Sequence, residues 1–368
     1  MADLNETPRA NRLSIAFFGR RNAGKSTLVN AFTNQPMAIV SDVAGTTTDP
    51  VSKAMEILPL GPCLVTDTAG LDDVGELGRL RVEKTLGVLE TADVAVWVHG
   101  ADGDALDPRF SEACAAHKTA VVEFFRGDSV EGLKKKIASL RLVDDAPGLL
   151  EGLVRPGERI VCVCPIDESA PKGRLILPQV QVIRDALDRH LVCSVAQVEE
   201  LEPLLASGGP ALVITDSQAF KAVSAAVARH PDSRLTSFSI LFARQKGDLG
   251  AFVEGLSAVS RLRDGDRVLV AEGCTHRRQC NDIGMTKIPK ALAKLSGGKG
   301  LDLVFASGTA FPVEDGFALA VQCGGCMLTR REMMRRIGAC RRAGVPIVNY
   351  GLLLARAAGL ADEIRAVI

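Results

Sequence analysis

Two stretches of this chain combine residue types that can do chemistry. The first, SIAFFGRRNAGKST at residues 14–27, fits GxxxxGK[ST] behind an apolar, strand-like run and ahead of the helix-forming STLVNAF. In such a loop Gly19 and Gly24 let the backbone bend so that successive amides face phosphate oxygens. Lys25 neutralises those oxygens, Ser26 offers a hydroxyl to Mg2+, and Asn22, Ala23 and Thr27 complete the cradle. A second strand-like run, CLVTDTAG at 63–70, ends in DxxG, where Asp67 would hold Mg2+ through water and the Gly70 amide would sense the γ-phosphate. Between them AGTTTD supplies hydroxyls, with Thr47 the expected metal-sensing threonine. The other stretch is CGGCMLTRRE at 323–332. Cys323 and Cys326 follow the apolar run FALAVQ, and Cys274 follows RVLVAEG, so all three lie beyond strand ends, the edge at which α/β units bind ligands. CxxC spacing lets two thiolates grip one metal centre, and Gly324 and Gly325 leave room and free amides beside the sulfurs. TRRE has the form of a capping box, placing a helix N-terminus beside the pair. His276, two residues after Cys274, is the nearest candidate for a fourth ligand. A redox dithiol and a zinc clamp stay open beside an iron-sulfur cluster.

These residues need strands to hold them, and the chain supplies them. Apolar runs alternate with helical patterns almost throughout, which predicts parallel α/β architecture. Three blocks are expected: 1–141 around the phosphate loop, 142–264, and 265–368 around the cysteines, with breaks at LVDDAPGLLEGLVRPGE and RLRDGDR. The second block carries the strand runs RIVCVCPI, LVCSV, PALVIT and TSFSILFA; the third carries RVLVA, LDLVFA, FALAVQ and VPIVNY. Lys plus Arg equals Asp plus Glu at 44 each, so charge gives no reason to expect a nucleic-acid partner. No run of roughly 18 apolar residues predicts a membrane span. The polar start MADLNETPRANRLS is not that of a signal peptide, so a cytosolic location is expected. Ten cysteines in such a chain are not a disulfide framework. Cys162, Cys164 and Cys193, inside strand runs, and the isolated Cys63 and Cys114 read as packing residues. Cys280 is not counted as a ligand.

The first block resembles the Era and TrmE GTPases, whose motifs read GxxNxGKS, GTTxD and DxxG. That resemblance implies GTP, Mg2+ and, through Asn22, a K+ ion that activates hydrolysis. Leu71 stands where other GTPases carry the water-orienting glutamine, which implies slow turnover. NKxD, the guanine-reading sequence, and the SA pair are not found, and after DVAVWVHG a single strand run, TAVVEFF, precedes the helical EGLKKKIASL. One strand-helix unit is therefore expected to be missing or remodelled, with Asp128 of FFRGDS in the base-reading place or merely in a turn.

RPGERIVCVCPIDESAPKGRLILPQVQVIRDALD, PALVITDSQAF, TSFSILFARQKGD, AEGCTHRRQCNDIGMTKIP and CGGCMLTRREM resemble HydF, the GTPase family among the FeFe-hydrogenase maturation proteins, across essentially the whole chain. The resemblance implies a GTPase domain, a dimerisation domain and a domain binding a 4Fe-4S cluster through Cys274, Cys323 and Cys326, with His276 the first histidine of the family's CxH…HCxxC pattern. Gln322 replaces the second histidine, which implies an open or exchangeable iron. It further implies a homodimeric scaffold that receives a transient di-iron precursor from radical-SAM maturases and delivers it to apo FeFe-hydrogenase, with the GTPase regulating partner exchange. The alternatives carried forward are a ribosome- or tRNA-type GTPase, a redox dithiol enzyme, and a divergent regulatory P-loop protein with weakened guanine recognition. The arginines at 330, 331, 335, 336, 341 and 342 read either as a solvated face or as a surface that steers anions.

Overall fold

Alternation along β1 (Leu13–Phe18) sends Ile15 and Phe17 to one side and Ala16 and Phe18 to the other, all fully buried, so this strand must be covered on both faces. The computed structural model shows how. It describes residues 7, 11–35, 50–73, 75–100, 103, 105–140, 147–166, 173, 175–216, 219–273, 283–308 and 310–360. The chain divides into two compact units, 1–144 and 145–368.

In the first unit β1 is followed by α1 (Lys25–Thr33), β2 (Val51–Ile57), β3 (Gly61–Asp67), α2 (Gly75–Gly87), β4 (Val94–Val98), α3 (Pro108–His117), β5 (Ala120–Phe124) and α4 (Val130–Ser139). The sheet order is β2-β3-β1-β4-β5, parallel except for β2, which runs antiparallel to β3. Helices α1 and α4 cover the Phe17 face, with Phe32, Leu133 and Ile137. Val82 of α2 and Phe110 and Cys114 of α3 cover the Phe18 face, packed about Trp97. Among the described residues no sixth strand joins this sheet; β5 is its edge.

The second unit holds β6 (Arg159–Val163), α5 (Leu177–Asp188), β7 (Val192–Ala196), α6 (Leu201–Ala206), β8 (Leu212–Thr215), α7 (Phe220–Val227), β9 (Arg234–Ser237), α8 (Phe238–Lys246), α9 (Leu249–Ala258), β10 (Arg267–Glu272), α10 (Ile288–Leu295), β11 (Asp302–Ser307), β12 (Leu319–Gln322), α11 (Arg330–Ala343), β13 (Ile347–Asn349) and α12 (Tyr350–Ala357). They form two all-parallel sheets, β7-β6-β8-β9 and β11-β10-β12-β13. One departure from the sequence reading lies here: TSFSILFA is a strand only to Ser237, whose hydroxyl accepts the Ile240 amide and starts α8. A short apolar run does not by itself separate a buried strand from a buried helix. Helix α8 has no exposed residue, and only Ser239, Arg244 and Gln245 are half-buried. Phe238, Leu241 and Phe242 enter the core beside β6 and α5, whereas Ile240 and Ala243 enter the larger core shared with β10, β12 and β13.

Candidate nucleotide and metal sites

The register of the first sheet puts Phe17 beside Asp67 and Phe18 beside Trp97, so the loop after β1 sits between the carboxyl ends of β3 and β4. A Cβ on Gly19 would stand 2.5 Å from the Val98 carbonyl oxygen, so only glycine lets the loop pass there. Asn22 turns left-handed at φ 58°, and Gly24 opens α1. The Lys25 ammonium, nearly buried, donates to the carbonyls of Gly19 at 3.2 Å and Arg20 at 2.7 Å. Burial lowers its pKa against the pull of Asp67 and Asp72.

Ser26 Oγ donates to Asp67 Oδ2 at 2.8 Å, while Asp67 Oδ1 is buried with no hydrogen-bond partner. Desolvation raises the Asp67 pKa, opposed by Ser26 and Lys25. A carboxylate oxygen left bare beside a serine hydroxyl and an ammonium fits a divalent cation, the group that would satisfy it. A Cβ on Gly70 would stand 2.7 Å from the Arg21 amide nitrogen, and the neighbouring Leu71 amide donates to the Gly19 carbonyl at 3.3 Å, so the DxxG segment is laced to the phosphate loop. Thr47 lies outside the described residues.

Asn22, Ala23, Gly24 and Thr27 line a cavity of about 550 Å3 together with Val98, His99, Phe124 and Arg126. Sequence spacing does not single out His99 or Arg126, although His99 follows β4 directly and Arg126 comes two residues after β5. His99 stacks on Phe125 at 4.1 Å and meets Glu123 Oε2 at 2.8 Å. Asp128 is not part of that lining; its Oδ2 accepts the Phe125 amide at 3.0 Å.

In the second unit, Cys323 and Cys326 follow β12 at the carboxyl edge of its sheet. Cys323 Sγ accepts the Gly273 amide at 3.1 Å and the Gln322 side-chain amide at 3.3 Å. Burial raises the Cys323 thiol, with the backbone N–H groups pulling the other way; burial also holds Cys326 at about 11. Gln322 is fully buried, and its Oε1 accepts Arg336 Nη1 at 2.9 Å, so its amide nitrogen is turned toward sulfur. Amide donors aimed at a cysteine sulfur stabilise its thiolate, so these residues fit an anionic thiolate-bound centre. Cys274, His276 and Cys280 lie outside the described residues, and among the described residues no group of three His, Cys, Asp or Glu side chains comes together as a metal site.

Helix α11 begins at Thr329, whose hydroxyl accepts the Glu332 amide at 3.1 Å. The Glu332 carboxylate serves Arg335 and Arg336 at 2.7–2.9 Å, so it is an ion-pair partner in place of the expected return bond of a capping box. Most of the arginines read as a solvated or anion-steering face are used internally. Arg336 is fully buried over the Phe311 ring, Arg330 donates to the Gln245 carbonyl at 2.7 Å, and Arg341 pairs with Asp248. Cys162 and Cys164 are core residues; Cys193 meets Cys162 with Sγ atoms 3.8 Å apart.

Known proteins resemble the chain in three consecutive segments. Residues 14–125 match the family described as 50S ribosome-binding GTPase, 149–247 the hydrogen maturase F dimerization domain, and 250–367 the hydrogen maturase F tetramerization domain. The tRNA modification GTPase MnmE of Azoarcus sp. is 39% identical over 116 residues, 30% of this chain and 25% of that protein. MnmE of Bacteroides thetaiotaomicron is 32% identical over 137 residues, 36% of this chain and 29% of its own. The chain thus spans less than a third of the length of these curated relatives. Among solved structures, a variant of Aquifex aeolicus Era bound to GDP.AlF4- and an Era complex with MgGDPNP and 16S ribosomal RNA each align with 80% of this chain, and with 93% and 92% of their own. Both are 17% identical at a TM-score of 0.26, too loose to add to the reading.

Proposed function

Since the chain belongs to the hydrogen maturase F family, we propose that it is a GTP-dependent scaffold of FeFe-hydrogenase maturation. On this reading it carries a 4Fe-4S cluster, takes up a di-iron precursor made by radical-SAM maturases and passes it to the apo-hydrogenase. The observation that supports it most is the setting of Cys323, a buried sulfur given two N–H donors by Gly273 and Gln322. Cys274, Cys323 and Cys326 would hold the cluster, with His276 or an exchangeable group on the remaining iron. The cluster supplies the site at which the di-iron cargo docks. Gln322, where the family carries histidine, acts here as a donor to Cys323.

In the first unit Lys25, Ser26 and Asp67 would hold the Mg-triphosphate, with Thr47 and Gly70 as its sensors and Asn22 as a ligand for K+. Asp128 Oδ2 is taken by the Phe125 amide, which leaves Oδ1 for the base. Leu71, 1% exposed and turned into the core, cannot orient water, and hydrolysis is correspondingly slow.

The test is anaerobic reconstitution with iron and sulfide, then electron paramagnetic resonance of the reduced protein and of Cys323→Ser. A 4Fe-4S signal lost in the variant is the expected result; an iron-free wild type, or a signal indifferent to the change, would overturn the cluster reading.

Dimerization and tetramerization domains make this an oligomer-forming chain. For the dimer contact we propose β7, the edge of its sheet, where Val192 is 53% and Val195 47% exposed. An open edge with apolar residues is a template for a second copy of itself. Val195→Lys is expected to weaken self-association at least about tenfold, or about 1.4 kcal/mol. Sedimentation at graded concentration checks this, and an unchanged dissociation constant would exclude the β7 contact.

A further inference from the structure

The cysteine loop is held from below by a residue outside its own domain. Lys246, the last residue of α8, lies in the segment matched by the dimerization model, yet its ammonium reaches 79 to 82 residues along the chain. It donates to the carbonyls of Gly325 at 3.2 Å, Cys326 at 3.1 Å and Leu328 at 2.9 Å. Three donors meet three acceptors, and the Phe242 ring lies 5.0 Å from the nitrogen. Two turns earlier on the same helix, Ser239 lies against the loop's other glycine: a Cβ on Gly324 would stand 3.0 Å from Ser239 Oγ. Helix α8 therefore touches the CGGC loop at both ends.

We propose that Lys246 is a positioning residue for the cysteine site, clamping the loop so that Cys326 is presented beside Cys323, and so making the dimerization domain part of the site. Two features support this beyond the contact itself. Lys246 is 4% exposed, and among the described residues no carboxylate pairs with it; the ionisable groups that face it are Cys326 and Cys323. A buried ammonium with no carboxylate is held by what the loop itself offers, the three carbonyl dipoles. The carbonyls it gathers also belong to a tight turn, in which the Gly325 oxygen accepts the Leu328 amide at 2.9 Å as well as the lysine. Without the ammonium these oxygens would lose their shared donor and the turn would open to water.

The inference uses the proposed function only in naming the loop a metal site, and its test does not need the metal. In the full-length apo protein, iodoacetamide labelling of Cys326 and Cys340 is followed by peptide mass spectrometry for wild type and Lys246→Met. Cys340 is buried on α11 in the same unit, so the ratio of the two rates cancels general loosening. The ratio is expected to rise roughly tenfold or more, as for a local opening. A ratio within twofold of wild type, including one in which both cysteines accelerate together, would overturn the proposal. In the reconstituted protein, loss of the cation is expected to move the reduction potential of the cluster to more negative values. An unshifted potential would count against the clamp, whereas a wild type that takes up no iron would sink the cluster reading and leave the labelling result standing.

Discussion

Lys25→Ala is expected to slow GTP hydrolysis by roughly two orders of magnitude or more, the scale of removing one preorganised charge from a transition state. The ammonium rests on two carbonyls of its own loop, those of Gly19 and Arg20, 7% exposed and partly stripped of water. That rest position is a poor one for a cation, as its lowered pKa records. Phosphate oxygens entering the loop would offer it a better partner, and the benefit grows as charge develops on the transferring phosphoryl group. Lys25→Arg should not restore activity, because a planar guanidinium does not fit a niche shaped for a point charge. Phosphate release under single-turnover conditions measures the effect, with nucleotide affinity measured alongside. The thermal transition of the empty protein should hardly fall, since the lysine contributes little before nucleotide binds. Hydrolysis within about threefold of wild type would remove Lys25 from the catalytic role.

The largest stability effect is expected at Glu332. Its Oε1 accepts Arg336 Nε at 2.8 Å and its two oxygens together take Arg335. Arg336 has no exposure at all, and among the described residues its other hydrogen-bond partners are the Gln322 side chain and the Gly308 carbonyl. Glu332→Ala would strand a buried guanidinium without its carboxylate, a loss of about 3–5 kcal/mol. Arg335→Ala, removing the partly exposed partner, should cost about 1 kcal/mol or less. Denaturant unfolding of the two variants checks the contrast, and equal effects would deny the buried pair its role. The pair also carries a pH signature. Burial pushes the Glu332 carboxyl up, but hydrogen bonds from Arg335 and Arg336 outweigh it and hold the group below 4.5. A carboxylate with a depressed folded pKa stabilises above its unfolded value and loses that contribution as pH falls through the folded one. Wild-type stability should thus decline below about pH 4.5 more steeply than that of the alanine variant.

The phosphate loop was legible because its chemistry is local: the residues from Gly19 to Thr27 act within one turn of chain, and sequence spacing is nearly spatial spacing. Strands buried on both faces, such as β1, β6 and β10, read clearly as apolar runs. Strand β2 did not, because it is an edge whose residues are mostly exposed and so carry no apolar pattern. Helix α8 hid inside TSFSILFA because a helix with no exposed residue has no polar stripe; the Ser237 cap was the only local sign. Lys246 and Arg336 were illegible for another reason. Each looks like an ordinary helical cation, and only the fold brings Lys246 to carbonyls some 80 residues away and Arg336 to Gln322. The Gln322 substitution was visible, but its orientation toward Cys323 depends on that arginine.

Helix α8 gives a face to each of the two cores of the second unit, and the larger core, which α9 joins through Phe252, holds Val161 and Val213 of one sheet with Val268 and Val321 of the other. Yet the two hydrogen maturase F segments meet at 247–250, between these helices. Inheritance and mechanics therefore draw the boundary in different places. A recombination event at that junction would hand one segment a stranger's half-core, and the pair can be exchanged only together.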